Sequence, residues 1–152
     1  LAPFDPTPRA AIARSLDLAG LSSADVFMDI GCGDGRVVIE AAKRAKRAVG
    51  IDTNEDLILR AREAAIANRV TNAEFHCCDV LLQDISKATV LYLYLMPKGV
   101  RWLEKKLLEE TAADVRVVCG CFRLPQPWAV LQHETLSGFD LYLQQKEPQR
   151  VQ

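Results

Sequence analysis

The chain lacks a surplus of either charge, an apolar run long enough to span a bilayer, and a cysteine framework; each absence removes a class of protein. Its 152 residues carry 19 Lys and Arg against 20 Asp and Glu, for a net charge of −1 with the histidines neutral. Charge so balanced and dispersed leaves no broad footprint for nucleic acid, and no nucleic-acid partner is expected. The one basic cluster, Lys43-Arg44-Ala45-Lys46-Arg47, reads as the end of a helix, where cations complement the negative dipole end. No apolar stretch approaches the roughly 20 residues of a membrane span. Five cysteines, an odd number without framework spacing, favour a reducing intracellular compartment, cytoplasmic or mitochondrial. Cys77 and Cys78 are neighbours in a strand and point to opposite faces. Cys119 and Cys121 share a face but have no second pair to complete four ligands, so no metal site is expected. The chain starts at Leu1 rather than Met, which reads as a fragment or processed form with any targeting or anchoring segment upstream.

What is present is an ordinary globular composition, 49% hydrophobic and 26% charged, in a length that suits one domain. Strand-like and helix-like segments alternate, the pattern of a mostly parallel sheet with helices on both faces. Thr7-Pro8 reads as a helix start with Thr7 as N-cap, Ile12 and Leu16 inward, and Gly20 closing the helix. Strands are expected at residues 26–30, 47–52, 73–78, 90–95 and 116–122. Helices are expected after residue 36 with Val37, Val38, Ala41 and Ala42 inward, and over 55–68 with Leu57, Ala61, Ala64 and Ala65 inward. A further helix begins at Pro97, with Val100, Leu103 and Leu107 at helical spacing. Beyond Pro125-Gln126-Pro127 two strand-like runs, 128–135 and 139–144, flank Leu136-Ser137-Gly138, a hairpin signal. There is little room for a helix before that hairpin.

The chemistry concentrates where the first strand runs into Asp29-Ile30-Gly31-Cys32-Gly33-Asp34-Gly35-Arg36. Side chains at Gly31 or Gly33 would hold the backbone away from a ligand, and the helix that follows offers unpaired N–H groups and a positive dipole end. A dinucleotide fingerprint would need Gly or Ala where Arg36 stands, which weakens that reading. Two strand-end acids follow, Asp52 after Ala48-Val49-Gly50-Ile51 and Asp79 after Phe75-His76-Cys77-Cys78. Singly, a glycine loop is a tight turn and a strand-end acid is a capping group. The three in order favour a cofactor cradle, with Asp52 placed to accept ribose hydroxyls.

The D-x-G-x-G-x-G loop, Asp52 and Asp79 resemble class I S-adenosylmethionine-dependent methyltransferases. That resemblance implies an α/β fold, a Rossmann-like doubly wound sheet with a C-terminal antiparallel hairpin, here trimmed between strands five and six. It implies one domain over 1–152: a covering segment and helix at 1–20, a cofactor-binding core at 24–123 and the hairpin at 128–145. It implies S-adenosylmethionine as cofactor, with Asp29, Gly31, Cys32, Gly33, Gly35, Asp52, Thr53, Asp79 and Val80 as its contacts. Asp79 meets the adenine amine, and alkylation of Cys32 is expected to block the site.

Pro3-Phe4-Asp5-Pro6-Thr7-Pro8, Gly31 to Ile39, Leu103-Glu104-Lys105-Lys106-Leu107 and Cys121-Phe122-Arg123-Leu124-Pro125 further resemble a small methyltransferase group. It holds the mitochondrial lysine methyltransferases of the ATP synthase c-subunit and the adenine nucleotide translocase, together with bacterial relatives. The resemblance implies N-methylation of a protein lysine; the alternatives are a small-molecule acceptor or a non-catalytic domain that keeps the fold. Ligands of open α/β sheets bind beyond the strands' carboxyl ends. Phe4, Asp5, Thr7, Tyr94, Met96 and Pro97 are therefore the candidate acceptor channel. The Asn/Asp-Pro-Pro-Tyr signature of nucleobase and glutamine amino-methyltransferases is absent. No catalytic residue is identified: Asp5 or Asp34 would orient the amine, and Asp34 is equally a turn former.

Overall fold

The computed structural model describes residues 4–148. Leu1 to Pro3 lie outside the described residues, and with them the first proline of the N-terminal motif. The elements run α1 (Arg9–Leu18), β1 (Val26–Ile30), α2 (Arg36–Ala42), β2 (Arg47–Asp52), α3 (Glu55–Ala67), β3 (Ala73–Cys77), β4 (Val90–Leu93), α4 (Pro97–Glu110), β5 (Arg116–Gly120), β6 (Trp128–Leu136) and β7 (Phe139–Lys146). A single 3₁₀ turn, Val80–Leu82, follows β3.

The seven strands form one sheet in the order β3-β2-β1-β4-β5-β7-β6. The first five are parallel, and β7 joins β5 antiparallel, with β6 antiparallel on the edge. Each central strand is buried on both sides, so its residues divide between two cores. Phe27, Ala48, Tyr92 and Val118 pack under α1, α2 and α3, while Met28, Val49, Leu91 and Val117 pack under α4. Three helices lie on one face and one on the other. Where a second helix would cover the α4 face, Leu124 and Trp128 from the β5–β6 connection fill the space. On α4, Val100, Leu103 and Leu107 are buried at 5%, 2% and 0% exposure, each contributing roughly 1.5–3 kcal/mol of burial.

Most expected bounds agree to within a residue or two, and the differences have physical causes. Helix α1 begins at Arg9 with Pro8 in the N-cap position, because the Thr7 hydroxyl bonds to Tyr92 rather than to the helix backbone. Its end is as expected: Gly20 has φ of 61°, its N–H reaches Asp17 and that of Leu21 reaches Leu16. Strand β4 stops at Leu93 rather than 95, which frees Tyr94 and Leu95 from the sheet. Strand β5 stops at Gly120, and Cys121 takes φ of 63°. That turn places Cys119 in the α4-side core and Cys121 against the opposite one, so they share no face. The hairpin turns through Ser137 and Gly138, with φ of 48° and 81°, the two positive angles a two-residue turn requires. Three of the four cations of the basic run beyond α2 pair with acids: Lys43 bonds Glu40, Arg44 bonds Asp17 and Arg47 bonds Glu74.

Candidate active site

The strand order sets the three marks side by side. Parallel pairing matches Ile30 with Ile51 and Asp52 with Cys77, so the glycine loop, Asp52 and the Asp79 turn rise in a row from the carboxyl ends of β1, β2 and β3. Tyr94 stands beyond the end of β4, on the other side of β1.

Gly31, Gly33 and Gly35 have φ of 81°, 56° and 79°. What keeps each free of a side chain differs from the expected approach of a ligand. A β-carbon on Gly33 would come within 2.5 Å of the Phe4 ring, and one on Gly35 within 2.7 Å of Ala61 and Phe75. At Gly31 it would meet Leu95 at 3.3 Å. The loop uses most of its own donors, while at the start of α2 the N–H groups of Val37 and Val38 meet no acceptor among the described residues, as expected of a helix start. Gly31 and Cys32 donate to Ile51 at 2.8 and 3.0 Å, Gly35 to Cys32 at 3.0 Å, and Arg36 to the Asp34 carboxylate at 3.3 Å. The loop thus satisfies its donors partly on the end of β2 and partly on itself.

Asp52 is tied into this arrangement. One of its oxygens accepts from Gly33 N–H and the other from Asn54 N–H, both at 2.9 Å. A carboxylate has about four lone-pair sites, so capacity for two further donors remains. Asp79 accepts from Leu81 N–H at 2.9 Å and caps the 3₁₀ turn, leaving its second oxygen for an outside donor. Val80 is buried beneath that turn, and the exposed Thr53 receives the Cys77 thiol on its carbonyl at 3.6 Å. Asp34 is the turn former: it pairs with Arg36 at 2.7 Å and is not directed at an acceptor.

Asp29 is 3% exposed, and burial first, then Asp52 and Asp34, push its pKa up to about 8. Every influence on it raises the value; nothing among the described residues offsets the charge. The carboxyl therefore has no positive partner among the described residues. Cys32 departs from expectation. It is buried, and a β-carbon on Gly50 would meet its sulfur at 2.8 Å, so the thiol faces the core; burial pushes its pKa far up. A thiol so buried is expected to resist alkylation in the folded state. Gly50, inside β2, leaves room for Cys32 and Phe75, the close approach that an isolated strand glycine signals.

Over the strand ends lies the segment Phe4–Thr7. Thr7 and Tyr92 share a buried hydroxyl–hydroxyl bond of 2.8 Å, which makes Thr7 an anchor rather than a channel wall. Tyr94 donates to Asp5 at 2.9 Å, and its ring meets Phe139 edge-on with centroids 5.0 Å apart. Burial and the Asp5 bond push the Tyr94 pKa up, so the phenol stays protonated and donates. Met96 is 56% exposed and precedes Pro97, the first residue of α4. Two surface depressions, one between Leu81 and Trp102 and one near Met28 and Arg47, lie away from this arrangement.

A seven-stranded sheet with a reversed last hairpin, a left-handed glycine loop and acids at the next two strand ends defines the class I methyltransferase fold. A solved structure described as an RNA methyltransferase from Salinibacter ruber, in complex with S-adenosyl-L-homocysteine, matches it with TM-score 0.89. That protein is 36% identical, over 97% of this chain and 98% of its own. A protein-lysine N-methyltransferase of Saccharolobus islandicus is 37% identical over 125 residues, 80% of this chain and 78% of the relative. The human lysine N-methyltransferase of the ATP synthase c-subunit is 37% identical over 115 residues; this chain spans 48% of its length. The profile of the ANTKMT methyltransferase domain matches residues 29–130, and the chain belongs to that family of methyltransferases. Its cofactor is S-adenosylmethionine.

Proposed function

We propose that the protein transfers a methyl group to a lysine amine of a protein substrate. The observation that carries this reading is the 37% identity, over 80% of the chain, to the archaeal protein-lysine N-methyltransferase. The site supports it. Among the described residues the connections after β1, β2 and β4 are short and carry no inserted element, which leaves that side open to a protein side chain.

When bound, S-adenosylmethionine supplies an electrophilic methyl on a sulfonium. Around it, Asp52 accepts the ribose hydroxyls on its spare lone pairs, and Asp79 with the Val80 turn accepts the adenine amine. The backbone from Gly31 to Gly35, with Thr53 beside it, would shape the cradle, and the Asp29 carboxyl, mostly protonated below about pH 8, would offer the cationic portion its charge only above that. Phe4, Asp5, Tyr94, Met96 and Pro97 border the acceptor's entry. The acceptor must be a neutral amine when it attacks: the ammonium proton passes to water first, the lone pair would then form the N–C bond, and the C–S electron pair would stay on sulfur. Apolar walls disfavour the ammonium form, and alignment supplies most of the rest. The five cysteines are all free thiols, which supports a reducing compartment, cytoplasmic or mitochondrial, as the place of action.

The second reading is an RNA acceptor, favoured by the description of the Salinibacter structure. Methyl-labelled cofactor incubated with lysate protein and with total RNA separates the two. Label recovered as methyl-lysine after acid hydrolysis supports the lysine reading; label confined to RNA overturns it.

A further inference from the structure

We propose that Asp5 and Tyr94 form an amine-recognition pair: the Asp5 carboxylate receives the acceptor's cationic head, and Tyr94 fixes the direction of that carboxylate. The inference rests on transfer to an amine and deepens that reading. Its first support is the way this carboxylate is held. Asp17, Asp25, Asp34, Glu40, Glu74, Glu110 and Glu134 each pair with an arginine or lysine of the chain, and Asp52 and Asp79 bond backbone N–H groups. Asp5 belongs to none of the ion pairs among the described residues; its partner is the uncharged Tyr94 hydroxyl at 2.9 Å. A carboxylate held by a neutral donor keeps its charge available to a cation from outside.

The second support is placement. Phe4, its chain neighbour, packs on Gly33 of the cofactor loop, and Tyr94 stands just past β4. Asp5 therefore sits between the cradle and the solvent, exposed at the mouth through which an acceptor must come. The third is rigidity. The segment is pinned on one side by the buried Thr7–Tyr92 bond and on the other by Phe4, and the Tyr94 ring is braced by Phe139. A carboxylate fixed at both flanks orients a bound amine instead of merely attracting it. Once the amine has lost its proton, a remaining N–H still donates to Asp5, which aims the lone pair away from the carboxylate.

The test uses the full chain loaded with S-adenosylhomocysteine and follows binding of n-butylammonium, with n-butanol as the neutral control, by NMR titration. Wild type binds the cation and not the alcohol. Asp5→Asn keeps an oxygen for the Tyr94 hydroxyl but removes the charge, and it weakens n-butylammonium at least about tenfold, the loss expected of a charge-assisted hydrogen bond. Tyr94→Phe weakens it about threefold by loosening the carboxylate. The proposal is overturned by wild-type protein that does not take the cation, or by an Asp5→Asn variant that binds it as wild type does, which would make Asp5 only a clasp for the segment. It is overturned too if that variant loses S-adenosylhomocysteine by the same factor. Asp5-dependent cation binding without label on any protein lysine keeps the pair and moves the acceptor to a small amine. Lysine label that is indifferent to Asp5→Asn keeps the lysine reading and removes the pair.

Discussion

Replacing Asp29 by Asn tests whether the cradle carries a charge at a cost to the folded state. In the folded protein the carboxyl is raised from an ordinary value to about 8, chiefly by burial. A group raised on folding contributes stability that is complete below its unfolded pKa and is lost as pH climbs to the folded one. For Asp29 the loss runs from about pH 4 to about pH 8 and is flat above. Four pH units at about 1.4 kcal/mol each set a ceiling of roughly 6 kcal/mol. Structural relaxation and water entry reduce that, so Asp29→Asn is expected to gain on the order of 2 kcal/mol at pH 9, or about 4–8 °C in Tm for a domain this size. At pH 5 the native carboxyl is protonated and the amide imitates it, so the gain there is close to zero. The assay is thermal unfolding of the cofactor-free protein and its variant at the two pH values. The same variant is expected to bind S-adenosylmethionine more weakly, because a cation loses its counter-charge, and wild-type affinity rises as pH passes through 8. An equal change in Tm at pH 5 and pH 9 would refute the reasoning, since it would make Asp29 a packing element and not a stored charge.

Asp52→Ala removes the acceptor for Gly33, Asn54 and the ribose together. Titration calorimetry is expected to show S-adenosylmethionine affinity down at least about 100-fold, and a loss under threefold counts against the ribose role. Gly33→Ala forces a side chain into φ of 56° and against Phe4, and is expected to cost roughly 1–2 kcal/mol in urea unfolding from the backbone alone. A Phe4→Ala background should recover the contact part and leave the backbone part. Among the thiols, exposed Cys77 is expected to react with a disulfide reagent in the native state. Buried Cys32 and Cys119, the latter pushed up to about 12, should react only on unfolding; rapid native labelling of Cys32 contradicts its core-facing placement.

The strand and helix segments were legible because each is governed by local pattern: continuous apolar runs for strands buried on both faces, helical spacing for Val100, Leu103 and Leu107. Misreadings arose where a distant partner decides. Thr7 has the chemistry of an N-cap, yet Tyr92, 85 positions away in sequence, takes its hydroxyl. Cys119 and Cys121 have the spacing of one face, but the strand ends between them and a left-handed residue sends the second sulfur to the other core.

The sequence by itself determined the class of site, because glycines that tolerate positive φ and acids at strand ends are needed wherever such a loop is built, and both are readable as letters. Only the tertiary structure decided what those residues do. Strand order brings Asp29, Asp52 and Asp79 together across two crossovers, and burial turns Asp29 into a raised acid. The glycines are required as much by Phe4, Leu95, Ala61 and Phe75 as by any ligand. A pKa and a steric contact depend on neighbours that the chain supplies from far along its length, and no local pattern records them.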